Sequence, residues 1–251
     1  MINVLYAGDY AIIATTFYKA MNSFSYAELF DERKFLMDPM KADKDVNITY
    51  LPTPKVSEFF PSTKEELAKY DVIILSDVGT DTILLYPDRF KIPMGANRLK
   101  LIQEFVQNGG GLVVVGGWMT FGGQMGQGKY HGTVIEDVLD CDISPFDDRI
   151  EVPEGLKFNP VKRNHPLVKD IGWEKSPLLF LGYNRFRARN PENIIAEYDG
   201  DPMMVVNSYG KGRALAFASD VAPHWGQGFV NWENYAKFWS RCFRWLSQKE
   251  K

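Results

Sequence analysis

Residues 109–117 read GGGLVVVGG. A short, continuous aliphatic run bounded by glycines is the pattern of a strand covered on both faces, and such strands belong to parallel sheets flanked by helices. Residues 71–75 (DVIIL) repeat the pattern and end at Ser76-Asp77-Val78-Gly79. Between the two runs, Asn97 is placed to cap a helix. Leu99, Ile102, Phe105 and Val106 fall at helical spacing, and Asn108-Gly109-Gly110 supplies the stop.

Upstream, residues 2–6 and 46–51 read as strands, and Ser62-Thr63-Lys64-Glu65 reads as a capping box opening a short helix to about Lys69. Downstream, residues 141–175 are irregular. Strands are expected at 179–186 and 194–198, and a hairpin at 203–209 and 213–218 around Gly210-Lys211-Gly212. A helix from about Asn231 carries the apolar stripe Tyr235, Phe238, Trp239, Cys242, Trp245 and Leu246. The alternation predicts an α/β protein whose parallel sheet uses the strands at Ile2, Val46, Asp71, Leu112 and Arg213. No linker or repeat divides the chain, so residues 1–251 read as one domain, with 141–209 as a decorating insertion or sheet extension.

The 251 residues carry 29 basic and 32 acidic side chains, a formal charge of −3, which argues against a nucleic-acid binder working through bulk charge. Apolar content of 45% excludes a disordered chain. No apolar run is long enough to span a bilayer, no signal peptide is visible, and two cysteines make no disulfide framework. The expected location is therefore the cytoplasm. No cofactor is implied, and the partner expected is a small molecule, with a homo-oligomer open.

In an open α/β sheet, ligands bind beyond the carboxyl ends of the strands. The rule selects the loops starting at Gly8-Asp9, at Asp77-Val78-Gly79, at Gly116-Gly117-Trp118 and at Asp220, the last reading DVAPHW over residues 220–225. His224 lies four residues after Asp220 in an expected turn, and a carboxylate beside an imidazole fixes its tautomer for general-base work; the alternative is an Asp capping its own turn and a His packed on Trp225. His165, before Pro166, reads as structural; His131 either caps the following helix or reaches the pocket. Gly123, Gly128 and Lys129 nearly complete a P-loop, but Tyr130 stands where Ser or Thr must hold Mg²⁺. The glycine-rich residues 116–132 are either a plain surface loop or a loop folded over a pocket. Asp9, Asp77, Asp220 and His224 make no convincing metal set, and G-x-S-x-G is absent.

Residues 70–79 (YDVIILSDVG), 109–117, 121–133, 147–155 (DDRIEVPEG) and 219–225 (SDVAPHW) together resemble the class I glutamine amidotransferase-like superfamily. The resemblance is to its putative glutamine amidotransferase (GATase1-like) branch, a neighbour of the ThuA-like proteins. It implies a flavodoxin-like three-layer sandwich with a mostly parallel central sheet and an antiparallel strand extension. The superfamily's nucleophilic cysteine follows the strand at residues 112–115, where this chain has Gly116-Gly117-Trp118-Met119-Thr120. The downstream His-x-Glu is also broken, because Trp225 and Gly226 follow His224. Cysteine-dependent glutaminase chemistry is therefore not expected. The turn's free N–H groups and that of Gly79 remain as anion sites. The expected pocket groups the tentative catalytic pair His224 and Asp220 with Asp9, Asp77, Gly79, Gly117, Trp118, Thr120, Tyr130, His131 and Trp225. Its polar-plus-tryptophan lining suits a carbohydrate-like ligand. Two alternatives are a hydrolase or isomerase using His224 with Asp220, and a non-catalytic regulatory binder.

Overall fold

The computed structural model describes residues 1–88, 90–173 and 179–249. Strand β1 (Ile2–Gly8) leads into a hairpin, β2 (Tyr10–Lys19) and β3 (Asn22–Asp31). Then come α1 (Lys34–Met40), β4 (Val46–Pro52), α2 (Thr53–Phe59), α3 (Lys64–Leu67), β5 (Val72–Ser76), α4 (Thr80–Leu84), α5 (Arg98–Gln107), β6 (Gly111–Val115) and α6 (Val134–Leu139). The second half holds β7 (Cys141–Ile143), β8 (Arg149–Leu156), β9 (Asn159–Pro160), β10 (Phe180–Asn184), β11 (Phe186–Ala188), β12 (Ile194–Tyr198), β13 (Asp201–Tyr209) and β14 (Gly212–Phe217). It closes with α7 (Pro223–Val230) and α8 (Tyr235–Leu246).

The main sheet runs β4-β1-β5-β6-β14-β13-β12-β9. Its first five strands are parallel, and they are the five expected from the apolar runs. Counted in chain order among themselves they stand 2-1-3-4-5, the flavodoxin-like winding. The next three strands are antiparallel. Helices α1, α7 and α8 cluster against one face, and α2 to α6 form a connected layer on the other. Every residue of β5 and β6 is buried, so each is apolar without alternation. The β13–β14 hairpin closes on Gly210-Lys211, with Gly210 at φ 60°, a conformation glycine adopts freely.

Three expectations shift, and one element is new. The capping box is one residue later than read: Thr63 accepts from Glu66 N, and the Glu66 carboxylate accepts from the N–H groups of Ser62 and Thr63, for a helix of one turn. Residues 179–186 give two short strands, not one, because the chain breaks at Arg185. These leave the main sheet: β10 pairs with β8 and β11 with β7. The supposed turn at Pro223 is a helix start, Pro being favoured in a first turn, so a separate helix α7 precedes the expected C-terminal helix, α8, which begins at Tyr235. The β2–β3 hairpin has no counterpart in the sequence reading. The end of the irregular stretch at Lys175 lies outside the described residues.

Gly8 shows how tightly the parallel strands approach at the site edge. Its φ is +130°, and a Cβ there would sit 1.6 Å from the carbonyl oxygen of Ser76. Gly200, at φ +83°, has open space around it. Gly8→Ala is expected to cost about 3 kcal/mol or more, and Gly200→Ala only about 1 kcal/mol from backbone strain. Urea denaturation of the two variants checks the difference.

Candidate functional site

The carboxyl ends of β1, β5, β6 and β14 meet along one edge, and the break in winding order falls between β1 and β5. Asp9 and Asp77 follow these two strands directly, each in the left-handed region at φ 46°, which Asp tolerates better than bulkier residues. Asp9 is buried, and its carboxylate accepts from the hydroxyls of Tyr6 and Ser76 (3.0 Å for Ser76). Its own carbonyl accepts from Glu32 N at 3.0 Å, so the return of the β2–β3 hairpin is fastened here.

The turn after β6 differs from the open anion site expected. Asp77 Oδ1 accepts from Met119 N at 2.7 Å, and the Trp118 N–H also bonds this carboxylate. The Gly117 N–H donates to Asn184 Oδ1 at 2.8 Å. The N–H groups of Gly122 and Gly123 donate to Asp148 at 2.7 and 2.8 Å. The donors that would face an oxyanion are thus satisfied by the chain's own side chains. Asn184 Nδ2 also donates to Asp148 Oδ1 at 2.8 Å, so one buried Asn–Asp pair ties the turn to β8 and β10.

Residues 116–132 fold into a compact loop. Phe121 is buried against Phe186, and Tyr130 is fully buried with its hydroxyl donating to Val78 O at 2.7 Å. The Thr120 hydroxyl donates to Val115 O at 2.6 Å. Gly79 begins α4 beneath the loop, where a Cβ would stand 3.3 Å from Gln127 O. Tyr130 and Thr120 therefore brace the loop from within. His131 lies apart: its Nδ1 is 2.8 Å from Ile143 O, near Glu136, and Thr133 caps the next helix in its place.

Trp118 turns outward from this loop, 43% exposed, as do Met125, Gln127 and Lys129 further along it. His224 meets it edge-on, with ring centroids 4.9 Å apart, and lies 4.7 Å from the Trp225 ring. His224 Nδ1 is 3.2 Å from Asp220 Oδ2, and Asp220 Oδ1 accepts from Ala222 N at 2.9 Å. Asp220 lies in the loop before α7 and His224 in its first turn, so the non-helical residues 221–222 bring the carboxylate back to the imidazole. Among the described residues nothing hydrogen-bonds His224 Nε2. Three neighbours escaped the sequence reading. Arg149, clamped by Asp147, stands 5.7 Å from the Trp118 ring; Glu151 accepts from Trp225 Nε1 at 2.9 Å; and Glu32 lies within electrostatic reach of His224 and Asp77. The DDR stretch at 147–149 entered the family pattern without a role, and nothing in sequence links Glu32 to residues 77 or 224.

Burial pushes the Asp9 and Asp220 carboxyls well above the usual carboxylate range, and each gains from the other acids nearby. Asp77 and Asp148 move the same way for the same first reason. Burial pushes the His224 imidazole below its ordinary value, against the pull of Glu151, Asp77 and Glu32. Its Nδ1 shares a proton with Asp220 Oδ2, and a lowered value favours the uncharged ring at neutral pH. Both cysteines are buried, and burial raises both thiols, so neither is a ready thiolate. Among the described residues no group of three or more His, Cys, Asp or Glu is disposed to hold a metal ion. No helix of the described residues is long and apolar enough to cross a membrane.

A parallel flavodoxin-like sheet with a strand-end site and a tight turn after β6 defines a class I amidotransferase-like fold. Residues 3–248 match the family described as "Putative glutamine amidotransferase", and the chain belongs to it. Among solved structures it is similar to two cytoplasmic proteins of Salmonella typhimurium. STM3548 is 33% identical, with 97% of this chain and 98% of that chain covered and a TM-score of 0.89. STM1381 of strain LT2 is 32% identical, with 98% and 99% covered and the same TM-score. A "putative thua-like protein" from Bacteroides uniformis shares the fold, with a TM-score of 0.51 at 14% identity over 100% of this chain and 93% of that chain. No curated protein matches the chain.

Two predictions follow from the hydrogen bonds and the acid cluster. Asn184→Ala leaves the Gly117 N–H unpaired in a buried setting, removes one of two donors on Asp148 Oδ1, and is expected to cost about 2 to 4 kcal/mol. Its signature is faster amide exchange confined at first to residues 116–124. For the acids, the folded state keeps protons that the unfolded chain releases near pH 4. Stability therefore falls as pH rises from that point towards the raised folded values. Asp9→Asn removes one member and keeps the shape, so its melting temperature relative to wild type should climb between pH 4 and about pH 7. A pH-independent difference would contradict the assignment.

Proposed function

We propose that the chain binds a neutral, polyhydroxylated small molecule at the strand ends, and that it does not hydrolyse glutamine through a cysteine. The observation that carries the reading is the Trp118–His224–Asp220 constellation. It combines an exposed indole, an imidazole nitrogen with no partner among the described residues, and a buried carboxylate orienting the ring. Indole faces pack against the C–H surface of a sugar-like ring, while Nε2 and the nearby carboxylates of Asp77 and Glu32 accept hydroxyl hydrogens. The glutaminase side of the reading rests on Trp118 at the turn, Gly226 in place of a glutamate, two buried thiols, and turn N–H groups already bonded to Asp77 and Asn184.

A neutral imidazole held by a carboxylate is also the arrangement of a general base, which supports a hydrolase or isomerase acting on the same ligand class. A purely regulatory binder would use the site without turnover. The cytoplasmic description of the two Salmonella relatives supports the same location for this chain.

Calorimetric titration with a panel of monosaccharides and polyols, alongside simple amines and glutamine, tests the reading. A polyol or sugar is expected to bind, with Trp118→Ala and His224→Ala each weakening it at least tenfold. Binding should fade as pH drops through the depressed imidazole value, below about 6.5, because Nε2 then becomes a donor. Binding of amines alone would point to a cation site. Ammonia release from glutamine by wild type, lost in the Cys141→Ala/Cys242→Ala variant, would overturn the non-glutaminase reading.

A further inference from the structure

The β2–β3 hairpin stands largely outside the layers of the fold and touches α2 near Ile12. Ten cross-strand pairs run from Tyr10↔Asp31 to Lys19↔Asn22, and the two strands form a sheet of their own. Nearly every residue in it is exposed. An isolated two-stranded hairpin is marginally stable in water, and apolar patches of this size are rarely left open.

The alternation of the strands sorts the side chains onto two faces. One carries Ile13, Phe17, Phe24, Tyr26 and Phe30, with Phe17 stacked on Phe24 and Tyr26 at 5.0 and 5.8 Å. The other carries Ile12, Leu29 and Tyr18 around the small pair Ala14 and Ala27. Leu29 is 66% exposed, Tyr18 80% and Met21 at the tip 99%. Residues 10–31 hold three charged residues, Lys19, Glu28 and Asp31, and no proline. The usual devices that keep an edge strand single, proline and inward charge, are missing from both edges.

We infer that this hairpin is an arm by which two copies of the chain associate, each arm covered by the other copy. The area fits. Ten residues at about 3.4 Å and two strands at about 4.8 Å give roughly 330 Å² per face, so roughly 650 Å² for both faces of one arm. A standard interface buries about 800 Å² per partner, a figure one arm reaches when both faces and its tip are covered. The arm is also self-complementary. It carries no charge excess that would select an oppositely charged partner, and its free edges can pair with their own two-fold mates. The inference is independent of the ligand reading, although the arm is rooted at Asp9 and Glu32 beside the site.

Sedimentation velocity of the full chain at micromolar concentration tests it. The wild type is expected as a dimer or a higher symmetric oligomer. Leu29→Lys/Phe24→Glu, which alters one exposed residue on each face, is expected to weaken association at least 100-fold with an unchanged circular dichroism spectrum. Amide exchange over residues 10–31 in the wild type should slow as protein concentration rises. A monomeric wild type overturns the inference. So does an oligomer that the double variant leaves intact, or a monomer that instead sediments with phosphatidylcholine vesicles, which would make the arm a lipid-facing element.

Discussion

The pairing of Asn184 with Asp148 fixes the geometry on which the strand-end edge depends. Beyond Val115 the chain must turn while β14 ends beside it, and space is so short that a Cβ on Gly116 would stand 2.1 Å from Ala218 O. Thr120 and Tyr130 brace the loop from within, and its amides are held from outside. Asn184 takes the Gly117 amide, its backbone N–H bonds Ala218 O at 2.8 Å, and Asp148 takes the amides of Gly122 and Gly123. The strands added between β6 and β14 in sequence are therefore part of the site's architecture. Without β8 and β10, the compact loop that presents Trp118 would lose its anchors, and each lost anchor would strand a buried polar group.

The same hydrogen bonds set this turn apart from the nucleophile turn that the family resemblance implies. In the superfamily the turn after this strand carries the nucleophile, and neighbouring N–H groups await a developing negative charge. Here the Asp77 carboxylate bonds the N–H groups of Trp118 and Met119, and Trp118 itself projects away. The absence of a cysteine at this turn and the occupied amides are mutually consistent: the Asp77 carboxylate against those donors would repel an oxyanion even beside a thiol. The imidazole beyond β14 pairs with Asp220, four residues back in the loop, and Gly226 stands two residues on where the resemblance implies a glutamate.

Much of the parallel sheet was legible because its strands are buried on both faces, so residues such as 72–75 and 112–115 are apolar without interruption. The approach of Trp118 to His224 was likewise readable, since parallel neighbours deliver their following loops to one edge. The rest depended on tertiary choices. Tyr130 looks like a pocket residue in a glycine-rich loop until its hydroxyl is seen bonding Val78 O in the core. Glu32 and Glu151 reach the site from distant segments, with no local spacing to reveal them. The β2–β3 hairpin hid for a different reason. Its turn is Ala20-Met21, with Ala20 at φ 53°, where Asn-Gly would be the recognisable signal, and both faces are apolar, so no in–out alternation marks the strands.

Strand β9 closes the far side of the main sheet with two residues, and one of them is Pro160, opposite Ala196. Proline offers no amide hydrogen, and two residues give no length over which a further strand could register. The sheet is thereby sealed against lateral growth on that flank. A molecule that leaves a long apolar ribbon open beside its strand ends has blunted the border where stacking into fibres could start, which suits the proposed closed pairing of its arms better than a propagating one.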